Sequence, residues 1–431
     1  MNVFSGTPCS FKMGVKQSRH ITIHGSVDPG FESVKKLFET NFTRGSEESA
    51  QLCVYVGDRR VVDIWGSVAD PAYSADTLTN VFSSTKSLTA IALASLHDRG
   101  LLGYNDKISQ HWPEFGQNGK QDITVADLMR HEAGLAYLAT PIKVEDTLTD
   151  NIKKNAIGSV IEKEKCHFPE TGKREYHSIT RGWIANELFR RVDKEGKTIG
   201  EFLKENVSEP LKADVFIGVE DNRFKDYKPC QEFKLTTLIK ESMKTNIFGG
   251  AVDIGIVDLY KILDNFKKLS DGIKPAFIQH KDYDMNKLGA VFNIDIVRRG
   301  ESSSANGNCS ARGLALVAAA MANKGQLNGV RIIGHSAWES LHSDPVTAPI
   351  FGILPTNFTQ GGVNRFEEEG GAGRDGFYGW FGYGGSVFQW HPELEIGFAY
   401  TPTLLHWFDA LNGRGRLMQQ EVVKCVKNMR K

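Results

Sequence analysis

Apolar side chains fall at Phe31, Val34, Phe38 and Phe42, spacings of three and four that share one face of a helix. The run Leu52-Cys53-Val54-Tyr55-Val56 then reads as a strand, Gly57-Asp58 as a turn, and Val61 to Trp65 as the returning strand of a hairpin. Near the other end, Ser386 to Trp390 and Ile396 to Tyr400 form a second strand pair around His391-Pro392. A closing helix follows, with Leu417, Met418, Val422, Cys425 and Val426 on one side. Strands near both ends, each beside an amphipathic helix, predict one α/β lobe assembled from residues 29–75 and 321–431. The long middle, 76–320, is mostly helical pattern and charged loops, so a mostly helical lobe is expected there. Residues 1–28 are expected to form an N-terminal tail, and the two lobes together one domain.

Within the middle, Val81-Phe82-Ser83-Ser84-Thr85-Lys86 leads into Ser87 to Leu96, a stretch rich in Ala and Leu and apolar nearly all round. Such a helix is buried rather than amphipathic. Its hydroxyl residues are candidate N-caps, and Gly100 closes the segment after Arg99. Residues three apart share a helix face, so Ser83 and Lys86 project together at the helix start. That geometry suits acyl transfer. A partly desolvated lysine loses its proton readily and serves as a base, while the helix N-terminus aims N–H groups at a developing oxyanion. Ser-x-x-Lys on its own is equally compatible with an N-cap serine and a solvent-facing lysine.

Composition narrows the picture mainly by exclusion. The 431 residues are 40% hydrophobic and 24% charged, and 52 basic side chains balance 52 acidic ones. No basic surface that tracks phosphates is implied, so no nucleic-acid partner is expected. The six cysteines, Cys9, Cys53, Cys166, Cys230, Cys309 and Cys425, are far apart, which fits neither a zinc ribbon nor a disulfide framework. A reducing, cytoplasmic setting follows, and the sequons at Asn41, Asn206, Asn308 and Asn357 read as chance matches. No apolar run approaches the roughly 18 residues of a membrane-spanning helix. The first 27 residues carry Lys12, Lys16 and Arg19, several serines and no acid, which is also the composition of a mitochondrial transit peptide.

Two motif matches fail on context. Gly371-Ala372-Gly373-Arg374-Asp375-Gly376 fits a dinucleotide fingerprint in letters, but no strand precedes it and no helix follows. His131-Glu132 opens like a zinc-protease motif, yet position 135 is Leu135. No cofactor and no metal are expected. The absence of Gly-x-Ser-x-Gly argues against an α/β-hydrolase fold. The aromatic stretch Phe377 to Trp390 serves equally well as a site lining or as sheet core.

Three further segments give Ser-x-x-Lys its company. Tyr176-His177-Ser178 continues as Ile179 to Leu188, Phe381-Gly382-Tyr383-Gly384-Gly385-Ser386 lies near the end, and Ile123 to Leu135 lies between the first two motifs. In this order, over about residues 30 to 405, the chain resembles the β-lactamase / penicillin-binding-protein-like serine hydrolases. Within them it looks most like the esterase-like branch related to class C β-lactamases. Tyr176-His177-Ser178 resembles the Tyr-x-Asn/Ser second motif, and Tyr383-Gly384-Gly385 stands where Lys-Thr-Gly or His-x-Gly is carried. Leu128 to Leu135 is similar to Leu-x-x-His-x-Ser-Gly-Leu with Ala133 for the serine.

The resemblance implies an α/β (α+β) fold of the β-lactamase/transpeptidase type, an antiparallel sheet flanked by the terminal helices plus a mostly helical region. It implies Ser83 as nucleophile, with Lys86 and Tyr176 sharing proton traffic. It implies an oxyanion hole from the N–H groups of Ser83 and Ser386, next to Gly385, and Ser178 as a hydrogen-bonding partner of the lysine and substrate. Tyr383 departs from the pattern, because a phenol cannot supply the cation that holds a substrate carboxylate. Arg374 is a loop cation that could stand in for it. The expected function is hydrolysis of a small-molecule ester or amide through an acyl-serine, esterase-like. β-Lactamase or D-amino-acid peptidase activity is one alternative and a non-catalytic scaffold on the same fold another, with the oligomeric state open.

Overall fold

A computed structural model describes residues 21–167, 173–234, 236, 288–350, 354–367, 373–406 and 413–431. Nine strands make one antiparallel sheet: β1 (Thr22–Val27), β2 (Ser49–Val56), β3 (Arg59–Ser67), β4 (Val346–Ile350), β5 (Leu354–Phe358), β6 (Asn364–Arg365), β7 (Tyr378–Phe381), β8 (Val387–His391) and β9 (Ile396–Pro402). Their order across the sheet is β1-β3-β2-β9-β8-β7-β6-β5-β4. The two hairpins read from the sequence therefore lie side by side, β2 pairing with β9 from Ala50 opposite Pro402 to Val56 opposite Ile396.

Five helices position the site: α1 (Glu32–Thr43), α2 (Thr85–Asp98), α3 (Thr180–Val192), α4 (Ala311–Ala322) and α5 (Gly413–Met429). The period of two in β2 decides which helices meet which face. Leu52 and Val54 join a core with Phe31, just ahead of α1, with Val34, Phe38 and Phe42 of α1 and with Met418, Val422 and Val426 of α5. Cys53 and Tyr55 point the other way, into the larger core shared with α2, α3 and α4. Each large apolar side chain fully buried here is worth about 1.5–3 kcal/mol of transfer free energy.

The division expected at residue 320 falls inside α4. This Ala-rich helix lies directly on the sheet, so close that a Cβ at Gly397 would come within 2.4 Å of the Ala319 nitrogen. Small residues permit that approach, but nothing in their spacing names the surface approached.

β1 also departs from expectation, lying in the stretch read as a tail. It pairs with β3 from Thr22 opposite Ser67 to Val27 opposite Val62. None of its side chains is fully buried, so the hydrophobic pattern carried no signal for it. Backbone hydrogen bonds to the edge of β3 hold it in place. Residues 1–20, and with them most of the transit-peptide expectation, lie outside the described residues. No described helix is long and apolar enough to cross a membrane.

Candidate active site

The chain enters α2 through one turn of 3₁₀ helix, Phe82–Ser84. Ser84 already has right-handed helical angles and makes no capping hydrogen bond, so the expected serine N-cap does not form. The reason is continuity, since the 3₁₀ turn runs straight into the helix and leaves no extended residue to cap it. The hydroxyls are used elsewhere. Ser84 Oγ lies 3.0 Å from Ser386 Oγ, and Thr85 Oγ1 donates to the Phe82 carbonyl at 2.5 Å. From Val81 to Ala90, Ser83 alone is not buried.

Lys86 is fully enclosed behind it. Its Nζ lies 2.6 Å from the Ser178 carbonyl, 3.0 Å from the Ser304 carbonyl and 3.2 Å from Ser83 Oγ. Burial holds its ammonium well below the ordinary lysine range, and the nearby Arg181 charge adds to the effect. A neutral amine has two N–H bonds and one lone pair. The two carbonyls can only accept, so they take both N–H groups and leave the lone pair directed at the Ser83 hydroxyl.

Tyr176 closes the other side, its hydroxyl donating to Ser83 Oγ at 2.8 Å. Trp380 Nε1 donates in turn to the Tyr176 oxygen at 3.1 Å. Burial pushes the Tyr176 phenol up, outweighing the hydrogen bonds to Ser83 and Trp380 that lower it. The result is a continuous line: Trp380 N–H, Tyr176 O–H, Ser83 O–H, Lys86 Nζ.

The segment ahead of α3 that carries Tyr176 and Ser178 is braced by the Leu128–Leu135 stretch. The His177 N–H donates to His131 Nδ1 at 3.1 Å, and the Leu135 N–H donates to His177 Nε2 at 3.0 Å. His177 Nδ1 lies 2.6 Å from the Glu175 carbonyl, which completes a neutral imidazole whose pKa burial pushes down to about 4. The His131 ring packs at a tilt against Tyr176, 4.9 Å between centroids. Arg181, on the first turn of α3, donates to the carbonyls of Lys86, Met129 and Gly362 and so ties α2 to this brace.

The third motif forms the connection between β7 and β8. Ser386 Oγ donates to the Val81 carbonyl at 2.7 Å, which fastens the motif to the turn bearing Ser83. Gly385, at φ +120°, donates its N–H to the Gly382 carbonyl. The Tyr383 ring packs edge-on to Phe82 at 5.5 Å, and its hydroxyl donates to Glu232 Oε2 at 3.1 Å. Burial first, and the Glu232 carboxylate second, push the Tyr383 phenol up. Arg374 does not replace the missing cation. It is buried against α5, donating to Gln419 Oε1 and lying over the rings of Phe366 and Phe381.

Apart from Arg374, the candidate site residues read from the sequence are thus drawn to one place. Ser83, Lys86 and Tyr176 touch directly, Ser178 takes part through its carbonyl, and Tyr383, Gly385 and Ser386 form the adjoining wall. Ser304, Trp380 and Arg181 were not anticipated. Trp380 lies in the aromatic stretch whose role stood open, and it does both jobs: its ring packs on Phe358 while its nitrogen reaches Tyr176.

The family description "Beta-lactamase" matches residues 34–421. The chain belongs to the β-lactamase family. A curated relative in it, the esterase/β-lactamase LipL of Mycobacterium tuberculosis (strain ATCC 25618 / H37Rv), is 30% identical over 385 residues, which cover 88% of this chain and 82% of that protein. Among solved structures, a family VIII carboxylesterase superposes with a TM-score of 0.75 at 24% identity, covering 94% of this chain and all of its own. A penicillin-binding-protein homolog from Caulobacter crescentus superposes with a TM-score of 0.72 at 25% identity, covering 94% of this chain and 100% of that one. The fold is the one the motifs implied, an antiparallel sheet flanked by terminal helices and joined to a mostly helical region.

Proposed function

We propose that this protein is a metal-independent serine hydrolase that cleaves a small neutral ester, or less readily an amide, through an acyl-serine at Ser83. The observation that carries the reading is the environment of Lys86 Nζ, buried within hydrogen-bond distance of two carbonyls and of Ser83 Oγ, so that once neutral it spends its N–H bonds on the carbonyls and has its lone pair left for the Ser83 hydroxyl. Lys86 takes the Ser83 proton as Oγ attacks the acyl carbon. The N–H groups of Ser83 and Ser386 receive the oxyanion. Collapse of the tetrahedral adduct breaks the bond to the leaving group, which takes its proton from the Tyr176 hydroxyl, and Lys86 restores that proton. Water then attacks the acyl-serine by the same route in reverse.

Family membership supports this chemistry, and the esterase names of the mycobacterial relative and the carboxylesterase neighbour support an ester substrate. Tyr383 supports a neutral one, because it turns its hydroxyl to Glu232 and presents no positive charge. β-Lactam hydrolysis is the second reading, favoured by the double description of the relative. A non-catalytic scaffold would have no need to bury a lysine among two carbonyls and a serine hydroxyl. The cytoplasmic location belongs to the same proposal, with Cys53, Cys166, Cys230, Cys309 and Cys425 as free thiols.

The test is covalent labelling by a fluorophosphonate probe, with the modified residue located by mass spectrometry. Ser83 is expected to carry the label, and Ser83→Ala to abolish labelling and ester turnover while the protein stays folded. A label on Ser84, Ser178 or Ser386 would overturn the assignment.

A further inference from the structure

A peptide group is planar, so whatever holds a carbonyl also fixes the N–H of the following residue. The plane that matters here joins Phe82 to Ser83, because its N–H is one of the two proposed oxyanion donors. Its carbonyl accepts the Thr85 backbone N–H and, at 2.5 Å, the Thr85 hydroxyl as well, and Thr85 Oγ1 in turn accepts the Gly307 N–H at 2.8 Å. Phe82 itself stands at φ +46°, a left-handed conformation that a residue with a Cβ adopts only when its surroundings impose it. The other side of Phe82 is held as well. Its N–H donates to Asn80 Oδ1 at 2.8 Å, and Asn80 Nδ2 donates to Asn306 Oδ1 at 3.1 Å. Thr85 and Asn80 are fully buried, so both contacts are made away from water.

We infer that Thr85 is a positioning residue for the oxyanion hole: its hydroxyl adds to its backbone N–H a second hold on the Phe82 carbonyl, anchored to Gly307, and so fixes the plane of the Phe82–Ser83 peptide and with it the direction of the Ser83 N–H, while Asn80 holds the strained residue from the other side. A carbonyl that accepts a hydrogen bond also polarises its own peptide and strengthens the N–H as a donor. The two hydrogen bonds of the Thr85 hydroxyl are both to backbone, at Phe82 and Gly307. Its loss therefore acts on transition-state charge and leaves the proton route through Lys86 and Tyr176 in place. The inference rests on the acyl-serine reading.

Thr85→Val removes the hydroxyl at nearly constant volume, and Thr85→Ser keeps it. With the full chain and a short p-nitrophenyl ester, Thr85→Val is expected to lower kcat about 10- to 100-fold with KM within about threefold, a fraction of what losing a whole oxyanion donor costs. Binding of an arylboronic acid, which forms a bond to the serine and places an oxygen in the same hole, should weaken by the same factor as kcat/KM. The acid limb of the pH–rate profile should stay where it is, and Thr85→Ser should recover most of the rate. Unchanged kcat in Thr85→Val, a loss confined to KM, a displaced acid limb, or a Thr85→Ser as impaired as Thr85→Val would each overturn the inference. If Thr85→Val does not fold, Thr85→Ala carries the same expectations with less crowding. Failure of the wild-type chain to be labelled at Ser83 would sink the acyl-serine reading itself, whereas labelling at Ser83 with full activity in the Thr85 variants sinks only this proposal.

Discussion

Lys86 shows how a common side chain acquires an uncommon state. In water its ammonium is held by hydration up to about pH 10.5. Buried beside Arg181, it loses that hydration and gains a like charge, and both effects favour the neutral amine. The sign of the pH dependence follows. The free base is the active form, so kcat/KM for a neutral ester should rise with pH through a single ionisation well below 10.5 and then level off. Tyr176 is displaced upward, so its active protonated form persists and no alkaline fall is expected below about pH 10. A rate still rising at pH 10 would count against Lys86 as the base. Tyr383 sets a second expectation. A charge-assisted hydrogen bond to a substrate carboxylate is worth about 1.5–3 kcal/mol, or roughly one to two powers of ten in binding, and a phenol aimed at Glu232 cannot supply it. Short neutral aryl esters should be cleaved readily and cephalosporins poorly. Tyr383→Lys should narrow the gap only partly, because Glu232 would pair with the new ammonium; adding Glu232→Gln should narrow it further. Equal efficiency of the unmodified protein on both substrates would refute the argument from Tyr383.

The turn before α2, the segment before α3 and the β7–β8 connection meet at the site, and what joins them is mostly side-chain-to-backbone bonding. Ser386 fastens the connection to the turn through the Val81 carbonyl, and Gly382 leaves room for it: a Cβ there would lie 2.2 Å from both Ser386 Oγ and the Val81 oxygen. Ser386→Ala leaves a buried carbonyl without that partner, so a stability loss of about 1–3 kcal/mol is expected. Gly382→Ala forces the two pieces apart and should cost more in both melting temperature and esterase rate; a Gly382→Ala enzyme as active as wild type would refute the fastening. The same bonding explains what could be read in advance. Ser83 and Lys86 were legible because helix geometry alone puts residues three apart on one face. Tyr176, Ser178 and Ser386 were legible because the motif order carried them. Ser178 was expected to meet Lys86 but does so through its carbonyl, and Ser304 was not legible at all, since a carbonyl looks the same in every residue and nothing marks the one that lends it. Trp380 was visible only as one aromatic among several.

Across the sheet the same division holds. The hairpins and terminal helices were legible because Leu52 and Val54 alternate with Cys53 and Tyr55, and each set has its own core to enter. β1 was not, because a strand at the sheet edge with no fully buried side chain leaves almost no hydrophobic trace. Its contribution is to the backbone: it covers the hydrogen-bonding groups of β3, which would otherwise offer an open template to another chain. Gly25 is what lets it lie there. At φ +90° it adopts a conformation costly for any other residue, and a Cβ would sit 2.0 Å from the Asp63 carbonyl oxygen. Gly25→Val combines both penalties in a branched side chain, so β1 should detach rather than distort β3. Three consequences are expected together. The melting temperature falls by a few degrees, amide exchange quickens along Val62 to Ser67, and the protein self-associates more at high concentration as the bared edge finds partners. Esterase activity per folded molecule should hold, because β1 lies at the far side of the sheet from the β7–β8 connection, with β3, β2 and β9 between it and β8. Unchanged exchange along β3 in a folded Gly25→Val protein would show that the edge does not depend on this strand.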